Sequence, residues 1–539
     1  MERLQRLAQP RVRAAAVTLL LAYVAVTAGV AARTHTPTVD EFTYVPTGLY
    51  HLRTGDLTHD PSNPPLMKLA MATPLLAMDM TLDTDPRWRD PSDGWAPWVF
   101  GTRFLDQNRA RYLDAFFAAR LVVVATAIAL GWLVWRRARA LFSPAGALAA
   151  LLIYATMPPI LGHAAVATLD VGVTALVFAA FVALARFAAT TRLGWAVATG
   201  VCLGLAIATK GVALLFLPLV PALALVEWEG SRRRDVVPGL AAMGVAAWIA
   251  LLAVYRFSGF PLPAPFVDGL RFQVEASGTG EFPAFLAGAW SQTGWWYYYL
   301  VALAVKTPLP SLALMAAGAW AVVRGRRPGD AGIVLPPLLL LYVLSFHFGK
   351  DYGIRYLLPA FPFLVLLAGR GTDQLLARPR GTVAVGVLLG WQLVACTLAT
   401  PHHLAWFNAL ASGERARRTL LDSNLDWGQD LGRLHAWMDA RGVRRICLGY
   451  FGHVDPGIYG IEYAIAPTQP APGLCAVSAN FLGGYPYVVT YAGRDVLLVP
   501  PGTWSWFDRL TPIARVGRSI YVFDVTEDDV RRLRETPVP

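Results

Sequence analysis

Between residues 14 and 400 the chain returns again and again to apolar runs long enough to cross a bilayer, and this leaves few folds open to it. A helical span needs roughly 20 mainly apolar residues, because inside hydrocarbon each backbone N–H and C=O must find its partner within the segment itself. About eleven stretches qualify: 14–32, 115–135, 144–162, 165–187, 193–209, 211–228, 237–255, 297–322, 332–346, 355–369 and 382–400. With 55% of its 539 residues hydrophobic and only 15% charged, the chain is a polytopic membrane protein and not a soluble one. The first run has a basic lead and ends in "GVAA", as a secretory signal would, but it is long for a signal's apolar core and is read as a span.

Arginine placement sets the orientation. Basic clusters fall in alternate loops: Arg3, Arg6, Arg11 and Arg13, then "RRAR" at 136–139, Arg186 and Arg192, "SRRRD" at 231–235, "RGRR" at 324–327, and Arg370, Arg378 and Arg380. By the positive-inside rule these loops are cytoplasmic, which puts the amino terminus inside and the tail from about residue 401 outside. Two units follow, a membrane unit over 1–400 with a long outer loop at 33–112, and an outer domain over 401–539. No internal repeat, low-complexity tract or GxxxxGK[ST] loop is found, and no nucleic-acid partner is expected. Of the four cysteines, Cys202 and Cys396 lie in apolar runs, while Cys447 and Cys475 in the polar tail are either a bridge or two buried thiols.

Under this orientation the ionisable groups at span ends gather on the outer face. Asp40 and Glu41 follow the first span, and His163 and Asp170 lie in "GHAAVATLDVG". Lys210 is in "ATKG", Lys306 in "VKTPLP", and His347, Lys350, Asp351 and Arg355 in "FHFGKDYGIRYLLP". All four lysines, Lys68 included, are external. A charge deep in a span costs roughly 2.5 to 3.5 kcal/mol on insertion scales, so Asp170 is expected to face a wet cavity or a partner. In "DPSNPPLMKLAMATPLLAM" Asn63 is placed to cap a helix that accepts Pro64 in its first turn and lies along the outer interface. The amino end of that helix, with Lys68, would attract an anion such as a phosphate. "GWWYYYLVALAVKTP" puts five aromatics at the outer end of the eighth span, an interfacial belt.

From residue 402 the pattern becomes that of a small α/β domain. Leu431, Leu434, Trp437 and Met438 share a helical face that ends at Gly442, and "RRICLGYFG", "DVLLVP" and "SIYVFDV" read as strands. "DSNLDWGQD" offers Asp422, Asn424 and Asp426 at calcium-loop spacing, but Trp427 stands at the sixth position and Arg433 at the twelfth, where such a loop needs glycine and glutamate. Capping and domain docking explain these acids instead. His51, His59, His163 and His347 are all external, but none has a tight ligand spacing, and no metal is expected to be required.

Taken in order, the acidic pair, "NPPL" with a lysine downstream, "GHAAVATLD", "GLAIATKG", "GWWYYYLVALAVKTPLP" and "GIRYLLPAFPFL" resemble the membrane glycosyltransferases of the GT-C fold. The likeness is greatest to bacterial members of glycosyltransferase family 39, relatives of dolichyl-phosphate-mannose protein mannosyltransferases and of the aminoarabinose transferase that modifies lipid A. The tail, with "FNALASG" and "SNLDWGQDL", is similar to that of a bacterial subgroup of unknown acceptor. The resemblance implies inverting transfer of a sugar from a polyprenyl-phosphate carrier to an acceptor hydroxyl, of a protein as in protein O-mannosylation or of an envelope lipid or glycan, on the outer face of a bacterial plasma membrane. It maps the catalytic base onto Asp40, assisting acids onto Glu41 and Asp170, and carrier-phosphate contacts onto Lys210, Lys306, Arg355 and, less directly, Lys68. His163, Asn63, Trp295 and Tyr356 are the candidate contacts to sugar or acceptor. A transporter or lipid-linked sugar flippase is the alternative from another class, and a non-catalytic envelope scaffold a third.

Overall fold

The computed structural model describes residues 9–85, 96–227, 236–278, 283–347, 351–491 and 497–535. Arg3, Arg6, the cluster at 231–235 and Lys350 lie outside the described residues.

Five described helices are long and apolar enough to cross a membrane: Pro10–Thr34, Tyr112–Leu141, Asp170–Thr190, Val236–Val254 and Ile354–Leu376. Two more expected spans are broken pairs, Pro144–Ala155 with Pro158–Ala164 bent by 53°, and Tyr298–Lys306 with Leu309–Arg324 bent by 118°. Proline explains both breaks, since it removes a backbone donor and drives the preceding residue out of the helical region. Thr307, before Pro308, is extended, and Lys306 is left at the corner. The other four runs fold as shorter apolar helices, within Leu193–Ile207, Gly211–Leu223, Asp330–Phe346 and Gly381–Thr397. Eleven full-length spans is therefore more than the described residues contain. Helix Leu193–Ile207 packs on Val236–Val254 through Gly200 and Gly204, where a Cβ would run into the carbonyls of Met243 and Ala247. Small residues at such a crossing let two backbones approach closely in lipid.

The long loop after the first span is a second layer of helices over one end of the bundle. Helix Val39–Thr54 starts with a capping box between Thr38 and Glu41. It crosses Leu66–Ala72 at Gly48, where any side chain would strike the Lys68 carbonyl. Asn63 does not cap that second helix. Pro65 stands at the cap position, Leu66 N–H donates to the Ala208 carbonyl, and the Asn63 amide donates to Tyr44 Oη at 3.1 Å. Lys68 is not free at the amino end of that helix, because Met67, Lys68, Met71 and Ala72 are all buried.

The tail does not stand apart from the membrane unit. Asn408 is tied to Ala304, Val305 and Thr307, and the Thr36 and Val39 N–H groups donate to the Gln429 and Trp427 carbonyls. Beyond residue 430 comes the helix Leu431–Asp439 and a five-stranded sheet in the order Glu462–Ile465, Arg445–Gly449, Gly473–Ser478, Ile520–Val525, Ala514–Val516. The first three strands are parallel and the last two pairings antiparallel. Cys447 and Cys475 are partners in register on neighbouring strands and form a disulfide, which decides between the bridge and the two thiols. "DVLLVP" contributes its strand, Leu497–Val499, to a separate hairpin with Tyr487–Val489.

Candidate active site

Two ion pairs converge at the tail end of the bundle. Asp40, in the first turn of Val39–Thr54, accepts a hydrogen bond from Arg355 Nη1 at 2.5 Å and a longer one from Tyr44 Oη at 3.4 Å. Asp170, at the start of Asp170–Thr190, accepts one from Lys210 Nζ at 2.6 Å. Tyr356 joins the two pairs: Lys210 Nζ lies 4.5 Å and the Arg355 guanidinium 5.4 Å from the centre of its ring. Arg355 and Tyr356 point into one space because Ile354–Ala360 is a 3-10 turn, entered through Gly353 at φ +112°. The side chains keep a limited opening, 19% for Asp40, 11% for Arg355 and 12% for Lys210. Arg355 Nε is buried with no partner, so the cluster holds an unused cationic donor.

The second acid of the pair points elsewhere. Glu41 is wholly buried, and its carboxylate accepts from Arg120 Nε and Nη2 (both 2.7 Å), from the N–H of Ala167 (2.6 Å), and from the N–H and hydroxyl of Thr38 (2.8 and 3.0 Å). The remaining Arg120 donors go to the carbonyls of Ala32, His35 and Thr36. With every donor and acceptor matched, this node fastens the carboxyl end of the first span to the loop and the next span. Arg120 was missed in the sequence, although a lone arginine in "AARLVVV" was the available signal.

Two of the four expected phosphate-binding cations are engaged internally. Lys68 is fully buried and donates to Asp60 Oδ2 and its carbonyl, at 2.6 and 2.7 Å. Lys306, also buried, donates to the carbonyls of Leu404 and Asn424 and lies 4.3 Å over the Phe407 ring. It braces the tail against the Pro308 corner. His163 is buried with its ring 5.9 Å from that of Trp427, close behind the cluster. Trp295 is off it: half-buried, it gives its N–H to Asp351, while Trp296 and Tyr297 are the exposed members of the aromatic run and Tyr298 and Tyr299 are buried.

Trp427 and Asp422 were not foreseen as site residues. The Trp427 ring lies 4.5 Å from the Arg355 guanidinium. Burial pushes the Asp422 carboxyl up to about 6 against the pull of Arg355, and burial pushes Asp351 up to about 6 as well. Among the described residues no three His, Cys, Asp or Glu side chains come together as a metal site.

Residues 113–255 match the family described as dolichyl-phosphate-mannose-protein mannosyltransferase. The undecaprenyl phosphate-alpha-4-amino-4-deoxy-L-arabinose arabinosyl transferase 1 of Pseudomonas fluorescens is 31% identical over 292 residues, 51% of either chain. A transferase of the same description from Pseudomonas aeruginosa is 30% identical over 299 residues, 52% of either chain. The chain thus spans about half the length of the curated relatives it matches. Its structure aligns over 94% of its length with 97% of ArnT from Cupriavidus metallidurans bound to undecaprenyl phosphate, at 16% identity and a TM-score of 0.51. The apo form of the same protein aligns at 15% identity and 0.50, over 95% of this chain and 98% of that one. The chain therefore has the polytopic GT-C fold shared with ArnT.

Proposed function

We propose that this chain is an inverting glycosyltransferase that moves a sugar from a polyprenyl-phosphate carrier to an acceptor hydroxyl on a glycolipid or glycan of the cell envelope. The observation that carries this reading is the convergence of the Asp40–Arg355 and Asp170–Lys210 pairs on Tyr356 at the tail end of the bundle. The positive-inside pattern supports reading that end as the outer face, and the bacterial relatives support a bacterial plasma membrane. Its relatives are named as arabinosyl transferases and its matching family as mannosyltransferases, so the carrier phosphate is the part the names share.

An inverting transfer needs a carboxylate that takes the acceptor proton as the hydroxyl attacks the anomeric carbon. Asp40 has that role: it is more open than Asp170, and Arg355 fixes its direction. The carrier phosphate departs as an anion, and cations already in place stabilise that charge without reorganising. Lys210 and the free Nε edge of Arg355 supply them, while Asp170 keeps the Lys210 ammonium aimed across Tyr356. Glu41, by contrast, is a strut of the fold. Lys68 and Lys306 support the site from behind, and the reaction as proposed uses no metal.

The test incubates the purified full chain in lipid with a panel of radiolabelled polyprenyl-phosphate sugars and cell-envelope fractions, comparing wild type with Asp40→Asn. Labelling should fall by about a hundred- to ten-thousandfold in the variant. Equal labelling removes Asp40 as the base. No labelling from any donor overturns the transferase reading, and transport that is lost in Asp40→Asn while transfer persists would favour a carrier function.

A further inference from the structure

We infer that the tail segment at residues 422–429, "DSNLDWGQ", is a built-in part of the reaction centre, clamping together the two elements that carry Asp40 and Arg355, with Trp427 as the positioning residue. This rests on the transferase reading above and assigns a role to a segment whose acids do not form a calcium loop.

The segment reaches both elements at their critical ends. Towards Asp40, the Trp427 carbonyl accepts from Val39 N–H at 3.2 Å and the Gln429 carbonyl from Thr36 N–H at 3.0 Å. Towards Arg355, Asn424 Oδ1 accepts from Ile354 N–H at 3.0 Å, and Ser423 Oγ donates to the Tyr352 carbonyl at 2.7 Å. On each side one bond thus ends on the residue immediately before the site residue. The approach is close enough that a Cβ at Gly353 would fall 2.6 Å from Ser423 Oγ.

Trp427 then acts on the guanidinium itself. Its ring is 1% exposed and lies 4.5 Å from the Arg355 carbon. Such a face contact attracts the cation through the ring quadrupole and leaves the in-plane N–H edges free. One edge meets Asp40, and the unpartnered Nε remains for an anion. The ring therefore sets the plane in which Arg355 orients the base and meets the phosphate.

The clamp is itself rigid. Asn480 donates to the Asp426 carbonyl and accepts from Asp422 N–H, Tyr450 Oη donates to the Gly428 carbonyl, and the Gln429 side chain bonds to Trp427 N–H and the Leu425 carbonyl. Rigid support matters because a displacement of about 1 Å at reacting groups can cost a hundredfold in rate.

The experiment measures kcat and the donor KM per folded molecule for the full chain in lipid, with Trp427→Leu, Trp427→Phe, Ser423→Ala and the control Trp437→Leu. Trp437 sits in the same domain and stacks on Arg441 instead. Trp427→Leu should lower kcat by about 10- to 30-fold, the worth of a desolvated cation–π contact. Trp427→Phe, which keeps an aromatic face, should stay within about threefold of wild type, and Ser423→Ala should lose about two- to fivefold. Trp437→Leu should leave kcat unchanged. Wild-type kcat in Trp427→Leu overturns the inference, as does a Phe variant as impaired as the Leu variant. Should Trp427→Leu fail to fold, the Ser423→Ala value decides alone, and no loss there sinks the clamp. A wild type that transfers no sugar overturns the functional reading and this inference with it, a result distinct from an active wild type with indifferent variants.

Discussion

Glu41 and Asp40 share a peptide bond, yet Glu41 accepts five hydrogen bonds in a sealed node with Arg120, whereas Asp40 keeps an opening and a single guanidinium partner. Full satisfaction makes a strut. Partial satisfaction leaves lone pairs that can receive a proton. The lysines repeat the contrast, since Lys68 is closed against Asp60 while Lys210 meets Asp170 beside an aromatic face and remains partly open. Charge and proximity to a span end do not separate these residues; the number of remaining bonding sites does.

The largest effect that could break this comparison is the Asp40→Asn loss of transfer, about a hundred- to ten-thousandfold, with a smaller drop in melting temperature than Glu41→Gln gives, because the Arg355 pair is partly open. Glu41→Gln should do the reverse. Leaving the Arg120 charge buried without its counterion should cost about 3 to 5 kcal/mol, read as a large drop in melting temperature and folded yield. If both variants lose activity and neither loses stability, the division between strut and base is wrong. Lys210→Met should lower transfer by about 10- to 100-fold, because one fixed cation at the leaving phosphate is gone, and should also lower the melting temperature, since the buried Asp170 loses its counterion.

A last test sharpens the comparison through a buried acid of the tail. Burial pushes the Asp426 carboxyl up to about 7, against the hydrogen bond from Gly428 N–H. The unfolded group releases its proton near its ordinary value of about 3.9. Between those values the folded chain holds a proton that the unfolded chain has lost, so this group's contribution to stability falls as pH rises through that window. Asp426→Asn should therefore match wild type near pH 4 and become more stable than it by pH 8, by up to about 4 kcal/mol, in melting curves taken at both pH values. A constant difference across that range would show that the carboxyl does not titrate there.

Much of the fold could be read from local pattern. The long apolar runs, the helix Leu431–Asp439 and the strands Arg445–Gly449 and Ile520–Val525 each follow from periodicity within a few residues, and each is present. Asn63 was misjudged because a cap is one use of an amide and a tyrosine hydroxyl from another helix is a competing one. Lys306 was placed on the outer face, but the bend at Pro308 and the returning tail closed over it. Trp427 carried no signal, since an aromatic residue after an acidic turn looks the same whether it packs in its own domain or on an arginine 72 positions earlier in the chain.

The amino-acid sequence alone determined that the chain is a membrane protein, the order of its apolar runs, and the gathering of acids and cations at one set of span ends. These are sums over neighbouring residues, and hydrophobic length and charge count need no knowledge of distant contacts. Tertiary structure decided which acid is sealed and which stays open, because that depends on where side chains 79 and 315 residues away, Arg120 and Arg355, direct their donors. A buried ion pair is favourable only with near-complete hydrogen bonding, so small differences in direction separate a structural pair from a reactive one.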